Sequence, residues 1–252
     1  MASRKEATLI DLLRQVKETL DEHSVEFWLD CGTLLGAVRN GTFIPWEHDI
    51  DFGARQDNIS KSTKILLCKE FSKRGLDVGV YQRHINIRKK EAEEIWLDIN
   101  FYYLNKDKVI MPRSFPINVM GKFFSYFLHV LFAPYRCKTD KIKSIKKRFV
   151  MNALINISCA TPFVLRKWLI QMGMIIYKRF GSKDVSWIIP SKYFMNLSTM
   201  KFYGMEFKVP TKTEEYLAYR YGKDWRIPRK EWITERNDGA VLNPLKQTEK
   251  NT

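Results

Sequence analysis

Along the first hundred residues, apolar and polar positions follow two alternating periods. Leu9, Leu12, Leu13, Val16 and Leu20 recur at helical spacing among charged residues, which predicts an amphipathic helix over 7–23. Phe27-Trp28-Leu29-Asp30 predicts a short strand. A short helical stretch follows at Leu34–Arg39, and the turn dipeptide Asn40-Gly41 separates it from an extended Phe43–Trp46. Asp49-Ile50-Asp51-Phe52 alternates polar and apolar, as a half-buried strand does. A helix over 59–74 stops at Gly75, and strands follow near 77–82, 84–88 and 95–104. This order predicts an α+β fold with a mixed sheet and flanking helices.

After Pro116 the pattern changes. Residues 119–133 are mostly apolar and aromatic, 136–148 are dense in Lys and Arg, and 149–180 are apolar again. A membrane span needs about 20 apolar residues without charge. Lys122, His129 and Pro134 break the first run, and Asn152, Asn156, Pro162 and Arg166 break the second. The segment therefore predicts helices. They either pack over the sheet as core helices joined by a solvated basic loop, or lie in a membrane interface with cations toward the headgroups. A strand pair around Met200–Val209 and a helix at Thr213–Tyr221 come next. The expected organisation is a core over 1–111, a basic and apolar helical insertion over 112–195, a part over 196–242 that completes the core, and a disordered polar tail over 243–252.

Composition narrows the class without naming a reaction. The chain has 252 residues, 45% of them hydrophobic and 28% charged, which is enough apolar material for a folded core and excludes wholesale disorder, collagen and coiled coil. Cys31, Cys68, Cys137 and Cys159 form no C-x-x-C pair, so neither a zinc site nor a disulfide scaffold is expected. The first residues show no signal-peptide pattern, and the expected location is the cytoplasm, with peripheral contact at the inner face of a membrane left open. With 43 Lys and Arg against 28 Asp and Glu the net charge is +15, which attracts nucleic acid, anionic membrane or phosphorylated substrates. No helix-turn-helix, zinc-finger or RNP pattern supports nucleic acid as the partner.

The chemistry concentrates around one dipeptide spacing. In a strand the side chains of Asp49 and Asp51 emerge on one face, roughly 6–7 Å apart, and two such carboxylates repel unless a cation sits between them. Magnesium or manganese accepts such oxygens and commonly bridges them to substrate phosphates. Alone, a D-x-D is weak evidence. Upstream, Asp30-Cys31-Gly32-Thr33 predicts a strand ending in a Gly-Thr corner that opens a helix, where backbone N–H groups can bind phosphate. Downstream, Asp98 lies in an apolar strand, where an unpaired carboxylate is costly, so it predicts a third metal ligand or a base for a substrate hydroxyl, with a buried ion pair to Arg39 or Arg88 as the bland alternative.

These residues resemble the LicD family, which includes phosphocholine transferases and fukutin-type ribitol-phosphate transferases. The resemblance rests on Gly32-Thr33-Leu34-Leu35-Gly36-Ala37-Val38-Arg39, on Asn40-Gly41, and on Phe43-Ile44-Pro45-Trp46-Glu47-His48-Asp49-Ile50-Asp51. Ile95–Tyr102 is similar to the family's second acidic strand. Gly204–Pro210, with Tyr216-Leu217, Tyr221-Gly222 and Asp224-Trp225, is similar to its closing motif. Glu47-His48 departs from the run of aspartates that many members carry there, and 112–195 matches nothing in the family pattern. The resemblance implies a nucleotidyltransferase-like core with Asp49, Asp51 and Asp98 as carboxylates for a divalent metal, Mg²⁺ or Mn²⁺, and Gly32 and Thr33 near the nucleotide phosphates. It also implies transfer of phosphocholine, ribitol phosphate or glycerol phosphate from a CDP-activated alcohol donor to a glycan or lipid-linked glycan acceptor, with release of CMP, as in modification of cell-surface polysaccharide.

Around that centre, Arg39 is placed to neutralise a phosphate, or else to serve as a helix C-terminal cation. Arg83 and Arg88 form a basic strand end that either faces the pyrophosphate or blocks edge pairing. Tyr221 and Trp225 either line the alcohol pocket, where an aromatic face suits a quaternary ammonium, or belong to the core. His48 reads as a packing residue, and Glu47 and Trp46 as support for the D-x-D strand. Two other functions compete: a nucleotidyltransferase that moves the nucleotide itself and releases pyrophosphate, and a non-catalytic basic protein that binds membrane or nucleic acid.

Overall fold

A computed structural model describes residues 3–80, 83–92, 94–132, 153–154, 156–158 and 160–242. Helix α1 (Arg4–Glu22) is capped by Ser3, whose hydroxyl accepts from the Glu6 N–H, and it buries Leu9, Leu12, Leu13, Val16 and Leu20 as its periodicity predicts. Strand β1 (Phe27–Leu29) leads into α2 (Cys31–Asn40), which ends at Gly41 in the left-handed region. After a loop come β2 (Asp49–Arg55), α3 (Lys61–Lys73), β3 (Leu76–Val80), β4 (His84–Lys89), β5 (Trp96–Asn105) and β6 (Lys108–Pro116). Two helices follow, α4 (Val119–Phe132) and α5 (Phe163–Ile176), and then β7 (Ser182–Pro190). The hairpin β8 (Ser198–Phe202) and β9 (Met205–Val209), helix α6 (Thr213–Tyr221), the turn-length α7 (Thr234–Asn237) and β10 (Val241–Leu242) finish the described chain.

Eight strands form one mixed sheet. β1 pairs antiparallel with β2, and β2 runs parallel to β5, the only parallel pair among the described strands. β5 is the hub: its first half also pairs with β4, and its last residues turn to β6, which carries β7 and β10. Helices α1 and α3 pack against each other, and α1 lies against β2 and β5, so the deepest core sits beneath the two parallel strands. The α+β reading with a mixed sheet and flanking helices is the fold observed.

Three local expectations change. Helix α2 begins at Cys31, so Gly32 and Thr33 lie in its first turn and do not form a corner ahead of it. The strained residue is Cys31, with φ of 47°. Phe43–Trp46, expected to be extended, ends in a turn at Pro45-Trp46. The sheet also reaches into the stretch read as helical insertion, since β6 continues to Pro116 and β7 occupies 182–190. Pro112 obscured β6, because a proline cannot donate to a ladder. It is tolerated because β5 pairs only with Lys108, Val109 and Ile110, which leaves Pro112 unpaired on that side while it faces Ser186 of β7. The helical part of the expectation holds for α4 and α5, whereas the basic run at 136–148 and the tail from 243 lie outside the described residues.

Candidate active site

Burial alternates along β2, with Ile50 and Phe52 inside and Asp49 and Asp51 on the other face. The parallel register sets Asp51 directly beside Asp98, and the antiparallel register of β4 sets Asn86 beside Asp98. Strands lie about 4.8 Å apart, so Asp51, Asp98 and Asn86 form a row across the sheet, with Asp49 one step along the same face. Asn86 donates to Asp98 Oδ1 at 2.6 Å, and Asn100 donates to Asp51 Oδ1 at 3.1 Å. The three aspartates open into one cleft of about 300 Å³, which Gly32, Arg39, Tyr221 and Trp225 also line.

The start of α2 is tied to this row from two sides. The Asp30 N–H donates to the Asp51 carbonyl at 3.0 Å, and the Thr33 hydroxyl accepts from the Asp51 N–H at 2.9 Å. Thr33 is buried and does not line the cleft, so it positions Asp51. Glu47 closes on Gly32 so that a Cβ there would sit 2.1 Å from Glu47 Oε2, and a larger residue would push that carboxylate aside. The Glu47 carboxylate thus lies over the first turn of α2, where helix N–H groups favour an anion. Burial, together with the charge of Asp49, pushes its carboxyl up to about 7. Burial and then the charge of Asp98 likewise raise Asp49. Clustered carboxyls that hold their protons this way mark a site short of positive charge.

Behind the cleft lies a buried ionic network. Asp30, at the N-cap of α2, accepts from the Tyr102 hydroxyl, from the Tyr216 hydroxyl at 2.6 Å, and from Arg220 Nη1 at 3.1 Å. Arg220 Nε reaches Asp238 Oδ2 at 2.9 Å, and its Nη2 makes a second bond to the same oxygen. Arg220, Asp30 and Asp238 are all fully buried at their side chains. Helix α6 is thereby bolted to the turn that aims α2 at the aspartates. Cys31 lies 3.3 Å from Arg220 Nη1, and its burial pushes the thiol well above its usual range, which is the opposite of an activated nucleophile.

The other expected residues are distributed unevenly. Arg39 lines the cleft, and its Nε donates to Asn40 Oδ1 at 2.7 Å. Tyr221 packs against Trp232, with ring centroids 5.1 Å apart. Trp225 is buried, with the Arg226 guanidinium 4.1 Å from its ring centre, so that face already carries a cation. Arg83 is not a cleft residue. It donates to the Pro112 carbonyl at 2.6 Å and ties the β4 end to β6. Arg88 also lies outside the lining, and it reaches the site through Asn86, donating to Asn86 Oδ1 at 2.7 Å. His48 is exposed and so is not a packing residue. Glu47, Asn100, Arg220, Asp224 and Trp232 line the cleft without having been singled out for it. Asn100 was within reach of pattern reading, because it follows Asp98 by two in a strand. Arg220 and Trp232 carry no local signal.

The donor set suits a hard divalent cation such as Mg²⁺ or Mn²⁺ and not zinc, because every ligand offered is a carboxylate or amide oxygen. Asp49, Asp51 and Asp98 could hold it, with Asn100 beside them. In the arrangement described, Asp51 and Asp98 are each engaged by an asparagine, and among the described residues no three His, Cys, Asp or Glu side chains are gathered closely enough to close on an ion.

Paired aspartates on one strand, a third on its parallel neighbour and a helix N-terminus facing them form the centre of this cleft. Residues 24–131 match the family described as LicD/FKTN/FKRP, nucleotidyltransferase domain. The chain is similar to the ribitol-5-phosphate transferase FKTN of Macaca fascicularis, 26% identical over 246 residues that cover 96% of this chain and 38% of that protein. It is also similar to the lipopolysaccharide cholinephosphotransferase LicD of Haemophilus influenzae (strain ATCC 51907 / DSM 11121 / KW20 / Rd), 23% identical over 256 residues that cover 88% of this chain and 90% of that protein. The chain thus spans well under half the length of the FKTN relative. Among solved structures, the lincomycin-bound lincosamide antibiotic adenylyltransferase LnuA aligns over 80% of both chains at 12% identity, with a TM-score of 0.37.

Proposed function

We propose that this chain is a metal-dependent transferase that moves a phosphorylated alcohol from a CDP-activated donor to a glycan hydroxyl and releases CMP. The observation that carries the reading is the single cleft in which Asp49, Asp51 and Asp98 face the first turn of α2 and Arg39. The names of the two relatives, a cholinephosphotransferase and a ribitol-5-phosphate transferase, support phospho-alcohol transfer. Bound Mg²⁺ or Mn²⁺, held by the three aspartates, would supply positive charge against the diphosphate.

In this reading the acceptor oxygen bonds to the phosphorus carrying the alcohol, the bridging P–O bond to CMP breaks, and the hydroxyl proton passes to a carboxylate. Asp98 is the candidate base, because Asn86 fixes one of its oxygens and leaves the other for the acceptor. Gly32 offers its backbone N–H to phosphate oxygens and Arg39 adds a guanidinium, while Thr33, behind the cleft, holds Asp51 in place. Glu47, lying over Gly32, yields that place when phosphate enters. Three carboxylates on one face argue against a non-catalytic polyanion binder, because they repel its ligand.

Product analysis tests the reaction. Incubation with Mn²⁺ and CDP-choline, CDP-ribitol or CDP-glycerol, plus a glycan acceptor, is expected to yield CMP with at least one donor. Release of pyrophosphate from a nucleoside triphosphate and an alcohol phosphate, with no CMP from any CDP-alcohol, would reassign the chain to nucleotidyl transfer.

A further inference from the structure

Helix α4 packs against α5 and against the turn at Tyr177–Gly181 that follows it, in each case through glycines. A Cβ at Gly121 would fall 1.8 Å from the Gly181 carbonyl oxygen, and one at Gly173 would touch Leu128 and Phe127. The contacts run in opposite directions along the two segments, so the pair is antiparallel. With the small residues turned inward, the large ones turn out. On α5, Val164, Leu165, Trp168, Met172 and Ile175 are exposed, and at 100° per residue they fall within one stripe about 100° wide. On α4, Val119, Met120, Phe123 and Tyr126 are exposed within a stripe about 120° wide. Val164 is 78% exposed, Phe123 63%, Ile175 60% and Trp168 56%. Elsewhere in the fold such side chains form the core, and an exposed apolar face of this extent marks an interaction surface.

Charge identifies what it meets. The described residues between 117 and 183 include Lys122, Arg166, Lys167, Lys178, Arg179 and Lys183 and no Asp or Glu. Lys122 and Lys167 border the two apolar stripes, and Lys178 and Arg179 are exposed just beyond the end of α5. An isologous pairing with a second copy would bring these cations face to face. No described helix is long and apolar enough to cross a membrane. An apolar stripe bordered by cations, carrying an exposed tryptophan and too short to span, has the chemistry of a helix lying in the plane of a bilayer surface.

We propose that the outer face of α4 and α5 docks on an anionic lipid bilayer, with the apolar stripes in the acyl boundary and the cations among the headgroups. This goes beyond the transfer reaction and does not depend on it, because the test reads binding without activity. The full chain is sedimented with vesicles of equal parts phosphatidylglycerol and phosphatidylcholine, and with vesicles of phosphatidylcholine alone. Binding to the anionic vesicles is expected to be at least about tenfold tighter and to weaken with added salt. The variant Phe123→Glu/Trp168→Glu/Ile175→Glu changes only exposed side chains, so its melting temperature should stay near that of the wild type while vesicle binding falls by about tenfold or more. A second variant, Lys167→Gln/Lys178→Gln/Arg179→Gln, should lose the preference for phosphatidylglycerol. Failure of the wild type to bind anionic vesicles would overturn the proposal. So would equal binding to both vesicle types, unchanged binding by the glutamate variant, or a dimer that dissociates in the glutamate variant and ignores vesicles.

Discussion

Asp51→Asn is expected to reduce CMP release from a CDP-alcohol by about 10²–10⁴-fold, since several kcal/mol of transition-state charge stabilisation depend on the carboxylate row. The substitution is nearly isosteric. The amide oxygen of asparagine can still accept from Asn100, and the Thr33 bond goes to the backbone N–H of residue 51, which is unchanged. Without metal, the folded protein should be as stable as the wild type or slightly more so, because one of three crowded negative charges is gone. Melting curves and initial rates measured on the same preparations separate the two effects. A variant that retains full activity would remove Asp51 from the mechanism. A variant that loses activity together with its fold would show that the row is structural.

Arg220→Met should have the largest effect on stability. It leaves Asp30 and Asp238 fully buried, Asp238 without the guanidinium that met it and Asp30 with only the two tyrosine hydroxyls. Breaking a buried ion pair from one side costs about 3–5 kcal/mol. For a chain of this size that corresponds to a drop in melting temperature of roughly 6–20 °C. Adding Asp238→Asn to Arg220→Met should recover part of the loss, because one orphaned charge disappears. A double variant less stable than Arg220→Met would show that the Asp238 carboxylate is held chiefly by the Ala240 N–H, which donates to its Oδ1 at 2.9 Å, and not by Arg220. Chemical or thermal unfolding monitored by circular dichroism reads both.

The two predictions differ in how much of their basis was legible beforehand. Asp49 and Asp51 could be placed on one face from the alternation D-I-D-F alone, and Asp98 stood out as a charge in an apolar strand. That Asp51 faces Asp98 depends on a parallel pairing formed across α3, β3 and β4, and no local pattern states that register. Arg220 stands in the helix at Thr213–Tyr221 with nothing in the local pattern to single it out. Its burial follows from the tertiary position of α6 and from two carboxylates, Asp238, 18 residues on, and Asp30, 190 residues back in the chain. The span from 112 to 195 misled for a different reason: Pro112 and Pro116 argue against a strand, yet an unpaired side of β6 accommodates Pro112. The period-2 alternation of Val185, Trp187 and Ile189 in β7 lay next to a long apolar helical run that dominated the pattern. Arg83 and Arg88 show the limit of reading a basic strand end. Both are used within the protein, one on a backbone carbonyl and the other on Asn86.

The central claim is that Asp49, Asp51 and Asp98 act together on one divalent cation. Calorimetric titration of Mn²⁺ into the chelator-treated full chain, and into Asp49→Asn, Asp51→Asn and Asp98→Asn, tests it most directly. The account predicts one saturable site in the wild type, with binding weakened by about tenfold or more in every variant and with proton release near neutral pH, where the Glu47 carboxyl, raised to about 7, gives up its proton to the incoming charge. Absence of a saturable site in the wild type, or binding that is unchanged in Asp98→Asn, would contradict it.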